Sequence, residues 1–128
     1  MACQTCHIPE YARSGVATKS YWDWSTAGKI NAEGKPYSEE NYTQGNGKHQ
    51  HTYMSQKGDF EWAENTEPAY AWFKGVVEYV NDEKVLDPEG IAPVNAIRGD
   101  PASDDSRIWP FKIMKGRQAC DSVNNTLV

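Results

Sequence analysis

Residues 59–63, Asp59-Phe60-Glu61-Trp62-Ala63, alternate aromatic with acidic or small side chains. A period of two marks a β-strand with one face turned inward. Downstream, 69–73 (Ala-Tyr-Ala-Trp-Phe) and 76–80 (Val-Val-Glu-Tyr-Val) are dense in residues that favour strands. Gly75 lies between them, so they form either one strand with a bulge or two strands. Asn81-Asp82-Glu83-Lys84 predicts a turn, Val85-Leu86 a short return strand, and Asp87-Pro88-Glu89-Gly90 a second turn. A short strand is expected over Val94 to Ile97, and 102–106 is an acidic, serine-containing loop. Trp109, Phe111 and Ile113 alternate again, with Pro110 confining that segment to an edge or a bulge.

Upstream of residue 59 the signals change. Tyr21-Trp22-Asp23-Trp24-Ser25-Thr26, followed by Gly28, Gly34 and Pro36, predicts an irregular segment pinned by Trp22 and Trp24 as buried anchors. Residues 38–58 are polar, contain Gly45, Gly47 and Gly58, and predict a loop or a long hairpin connection. The chain therefore divides into 1–9, 10–58 (irregular, Trp-anchored and loop-rich), 59–115 (β-rich) and a tail, 116–128, with no strong signal. The fold class expected is mainly β and irregular structure with few short helices, in a small single domain.

Composition sharpens this expectation. Leu86 and Leu127 are the only leucines, and Leu, Ile, Val and Phe together make 19 of 128 residues, against 5 Trp, 7 Tyr and 3 Phe. A helical bundle needs aliphatic stripes on facing helices, so this balance argues for an aromatic core instead. With 13 basic and 18 acidic residues the net charge is -5, which disfavours nucleic acid and anionic membrane as partners. No apolar run approaches the length of a membrane span. No charged-then-apolar leader precedes Cys3, so the chain as written is expected to carry no signal peptide. There is no phosphate-cradling glycine loop and no nucleophile elbow, and no acidic pair is positioned for acid–base work, so no catalytic residue is assigned.

Chemistry concentrates at Cys3-Gln4-Thr5-Cys6-His7. Two thiols and an imidazole at this spacing form an attachment motif for c-type haem. On one helical turn, positions i, i+3 and i+4 share a face, so both sulfurs can reach one macrocycle edge while the imidazole turns beneath the iron. Cys3 and Cys6 would carry the thioethers, and His7 would be the proximal ligand. The same residues also admit a thioredoxin-like redox pair, half of a zinc site, or a vestigial motif in a non-enzymatic β-rich interaction module. Pro9 disfavours helical geometry at Ile8, so the helical turn is expected to be short. His49 and His51 would lie on the same side of a strand and could complete a zinc site with Cys3 and Cys6, but solvated loop histidines are the simpler reading. The local candidates for a second axial ligand are His49, His51, Met54 and Met114, with a residue from outside this stretch of chain as the alternative. Cys120 is left as a free thiol.

Ala2 to Pro9, Tyr11-Ala12-Arg13, Thr18-Lys19, Tyr21 to Ser25 and Gly34-Lys35-Pro36 together resemble the C-terminal part of the octahaem c-type cytochromes of the tetrathionate reductase family. So do Lys57 to Phe60, Trp72 to Gly75, Arg107 to Lys112 and Thr126-Leu127-Val128. The resemblance runs along essentially the whole chain. It implies a piece of a larger multihaem protein, with haem c as cofactor through Cys3, Cys6 and His7. It also implies a periplasmic parent that reduces small sulfur or nitrogen oxyanions. The remainder of that parent, or redox proteins, would be its partners, and a homodimer could cover exposed aromatic surface. The fragment alone would not be catalytic. Neither the stretch around His49 and His51 nor Cys120 matches the family pattern, so neither inherits a role. Expressed as written from Met1 in a cytoplasm, the chain is expected to stay haem-free.

Overall fold

A computed structural model describes residues 1–81 and 83–128. Its elements are α1 (Cys3–His7), β1 (Thr18–Asp23), a 3-10 turn (Trp24–Thr26), β2 (Ser38–Glu39), β3 (Tyr42–Thr43), β4 (His49–Gln50) and β5 (Tyr53–Met54). They continue as β6 (Gly58–Ala63), β7 (Ala69–Phe73), β8 (Val76–Tyr79), β9 (Asn95–Arg98), β10 (Arg107–Phe111), β11 (Lys115–Arg117), β12 (Cys120–Asp121) and β13 (Thr126–Leu127). The protein is mainly strand and irregular structure, with one short helix among the described residues. Two compact units are formed. One comprises Met1–Pro9, Ala69–Phe111 and Ala119–Val128, and the other Glu10–Pro68 and Lys112–Gln118.

The second unit is built on a five-stranded sheet in the order β11-β1-β6-β5-β2. The alternation at 59–63 is strand β6, pairing antiparallel with β1. Thr18–Asp23 was expected to be irregular and is instead a strand, and the register explains the miss. The pairing shifts between Lys19 and Tyr21, so Ser20 is the extra residue of a bulge. Lys19 and Trp22 thereby face the same way, opposite Trp62 and Phe60, and the period of two disappears from the sequence. The polar stretch 38–58 forms an interrupted hairpin, β2 pairing with β5 and β3 with β4.

The core of this unit is aromatic. Tyr53 and Phe60 are buried. The Tyr53 hydroxyl accepts from Lys29 N and donates to Thr26 O, both at 3.0 Å. Trp22 stacks on Trp24 with centroids 4.5 Å apart and lies 5.2 Å from the Phe60 ring. Trp22 also donates to Lys57 O at 2.7 Å. Trp24 was expected to be a buried anchor but is 40% exposed, because it belongs to the surface turn after β1, where it stacks on Trp22.

In the first unit, β7 pairs with β10 and β8 with β9, each pair a separate two-stranded antiparallel sheet. Gly75, at φ +89, separates β7 from β8, so the 69–80 stretch is two strands. Val85-Leu86 is not a strand, since Leu86 N instead donates to Asn125 O at 2.7 Å and the side chain is buried. The turn at Asp87–Gly90 forms, with Gly90 N donating to Asp87 O. The turn expected at Asn81-Asp82-Glu83-Lys84 includes Asp82, which lies outside the described residues. The tail contains β12 and β13, paired with each other, although its sequence gave no strand signal.

Candidate functional site: the Cys3–His7 turn

A helix of five residues has no independent stability in water, because nucleation is unfavourable and a single turn does not repay it. Its support comes from β10. Ala2 N donates to Ile108 O at 3.1 Å, and the Thr5 hydroxyl donates to the same carbonyl. At the other end Ile8 N donates to Gln4 O, and Ile8 leaves helical geometry at φ -122 and ψ 71. Pro9 thus follows the last helical turn, as its steric demand on the preceding residue requires.

On this turn Cys3, Cys6 and His7 are all exposed, and both thiols are free. Their positions i, i+3 and i+4 place them on one helical face. Among the described residues, no group of three or more His, Cys, Asp or Glu side chains converges to hold a metal ion. The exposed thiols and imidazole on one turn suit a haem, whose porphyrin supplies most of the iron ligands while the two free thiols are the nucleophiles that thioether attachment consumes. The residues present therefore fit the group. Once bound, haem c supplies a one-electron ferric/ferrous couple.

The other sequence candidates lie elsewhere. His49 Nδ1 is 3.3 Å from Thr43 Oγ1, and His51 Nε2 is 3.2 Å from Glu40 Oε1. His51 follows the last residue of β4, and its Nδ1 is buried with no hydrogen-bond partner among the described residues. Met54 is half-buried in β5, Met114 is exposed, and Cys120 is exposed in β12.

One feature escaped sequence reasoning. Lys19 Nζ sits 3.8 Å from the Phe60 ring centroid, 4.5 Å from Trp22 and 5.5 Å from Trp62. Burial against these rings, with Lys57 and Lys112 adding repulsion, holds its ammonium below the usual lysine range. Only the bulge at Ser20 brings Lys19 to that face, and no sequence period announces it.

The chain belongs to the bacterial cytochrome c family: the family described as "Cytochrome c bacterial" matches residues 19–128. Haem c is the cofactor of this class, and electron transfer its role. Over its whole length the chain is similar to the octaheme cytochrome c from Shewanella oneidensis, with 34% sequence identity and a TM-score of 0.76. The match covers 100% of this chain and 27% of that one, so the chain spans little more than a quarter of the protein it resembles. No curated protein matches it. No helix among the described residues is long and apolar enough to cross a membrane.

Proposed function

We propose that the chain is an electron-transfer segment of a larger periplasmic multihaem cytochrome. It binds one haem c covalently through Cys3 and Cys6, with His7 as the proximal iron ligand. The carrying observation is the exposed turn itself, with two free thiols and an imidazole on one face, anchored to the Ile108 carbonyl. Cys3 and Cys6 would each supply an S–H for addition across a vinyl group of the porphyrin, a balanced addition that places sulfur on one vinyl carbon and hydrogen on the other and needs no oxidant.

The parent is of the tetrathionate reductase family and reduces small sulfur or nitrogen oxyanions. The rest of that protein is the principal partner of this segment, which transfers electrons without turning over substrate itself. A second reading, a β-rich interaction module with a vestigial motif, draws on the family match beginning at residue 19, after the motif. A homodimer through exposed aromatic surface is compatible with either.

The test is export of the chain behind a secretion signal in a host with c-type maturation, followed by denaturing mass spectrometry. One covalent haem on the wild type and none on the Cys3→Ser/Cys6→Ser double variant is the expected result. A wild type that emerges folded and haem-free overturns the proposal in favour of the second reading.

A further inference from the structure

Beside α1 lies an aromatic face. Strands β7 and β10 pair Ile108 with Trp72 and Pro110 with Tyr70, so these four side chains share one face of the ribbon. The opposite face closes on itself, with Phe73 meeting Trp109 and Phe111 edge-on at centroid distances of 5.9 and 5.4 Å. On the first face Tyr70 is 50% and Trp72 37% exposed.

The register ties this face to the motif. In an antiparallel ladder a residue sends its N–H and C=O to the same side. The Ile108 carbonyl is taken by Ala2 N and the Thr5 hydroxyl, so Ile108 turns its polar groups away from β7 and toward α1. Ile108 and Trp72 are therefore a non-hydrogen-bonded pair, the kind in which facing side chains approach most closely. The order across the ribbon is α1, then Ile108, then Trp72.

We propose that Trp72, together with Ile108, is the apolar wall against which the haem carried by α1 packs. The inference rests on the haem attachment proposed above. A wall of this kind has a direct electrochemical consequence. The ferric centre carries one more positive charge than the ferrous, and a dry, apolar neighbour penalises the more charged state. Trp72 therefore holds the couple toward the ferrous form, and its loss admits water and favours the ferric form.

The experiment is redox titration of the matured holoprotein, wild type and Trp72→Ala, after covalent haem has been verified on both by mass. The ferrous-to-ferric ratio at fixed applied potential should fall about tenfold in the variant, a midpoint lower by about 59 mV for a one-electron couple. Trp72→Phe should keep most of the wild-type value. Tyr79→Ala, which removes a ring 75% exposed on β8, should leave it unchanged. If Trp72→Ala fails to mature, Trp72→Gln must show the same fall. Covalent haem with a potential unmoved by either variant overturns this inference alone, as does a Trp72 variant that only converts a dimer to monomer. Absence of covalent haem from the wild type overturns the attachment proposal, and this inference with it.

Discussion

Gly58→Ala tests how the second unit closes. Gly58 opens β6 at φ +82, a left-handed conformation that costs an alanine about 1–2 kcal/mol. Space is the harder obstacle. A Cβ on Gly58 would lie 1.9 Å from Asp23 O and 2.9 Å from Thr26 Oγ1. Neither neighbour can retreat freely. Asp23 ends β1, which lies between β6 and β11, and the Thr26 hydroxyl both donates to Asp23 O at 3.1 Å and accepts from Asp59 N at 2.9 Å. Relieving the clash would break these two bonds, each contributing about 1 kcal/mol net, so the total loss should be about 3–4 kcal/mol. Gly34→Ala provides the comparison. Gly34 has φ +75 with nothing within 4 Å of its Cβ position, so that variant carries the conformational cost alone. Urea unfolding followed by tryptophan fluorescence should separate the two variants by about 2 kcal/mol, roughly 1 M in midpoint for a domain of this size. Equal midpoints for the two variants would refute the argument that the Asp23 carbonyl, not the backbone dihedral, demands glycine here.

Two other predictions follow from the electrostatics and the thiols. The Asp23 carboxylate accepts from the Ser25 hydroxyl and Ser25 N, bonds that hold its pKa below the ordinary aspartate value of 3.8. Because the folded value is the lower one, its contribution is present above pH 3.8 and is lost as pH falls from there through the folded value. Urea midpoints measured between pH 5 and pH 2 should show Asp23→Asn losing less with acid than the wild type, and parallel curves would contradict the assignment. In the haem-free chain Cys3, Cys6 and Cys120 are all free and exposed, so all three should react with a thiol reagent under native conditions. After maturation Cys120 alone should react, and three reactive thiols on protein carrying haem would rule out thioether attachment.

Period-two patterning was legible wherever a strand kept its alternation unbroken. Phe60 and Trp62 lie in β6, 69–73 is β7, and the segment begun by Val76 is β8. The strand expected from Val94 to Ile97 is β9, displaced by one residue to Asn95–Arg98. The sequence concealed β1 for a specific reason: the bulge at Ser20 puts Lys19 and Trp22, three apart, on one face. It concealed β11 for another. Lys115-Gly116-Arg117 has little strand propensity and pairs in parallel with β1, Gly116 beside Trp22, a partnership separated by more than ninety residues and set by the fold as a whole. At the candidate site, Cys3, Cys6 and His7 were singled out by their spacing, and the structure places them together on one exposed turn. The carbonyl that holds them, Ile108 O, was not, since backbone hydrogen-bond partners leave no mark on side-chain identity.

Pro110 nonetheless carried part of that information. Residues 108 and 110 direct their backbone polar groups to the same side of β10, the side away from β7. A proline there removes a donor from the open edge without disturbing the ladder, which is why it is tolerated at that position. The same missing donor stops another strand from adding along that side. Among the groups left on that edge is the Ile108 carbonyl, which accepts from Ala2 N and the Thr5 hydroxyl. The Cys3–His7 turn is thus the cover of a sheet edge that Pro110 keeps free of a further strand. A helix too short to stand alone is held by the element whose far strand presents Trp72. The orientation of Cys3, Cys6 and His7 consequently depends on β10 being in register with β7. Any change that slips that register by one residue would exchange the Trp72 face for the Phe73 face of the ribbon whose edge anchors the motif.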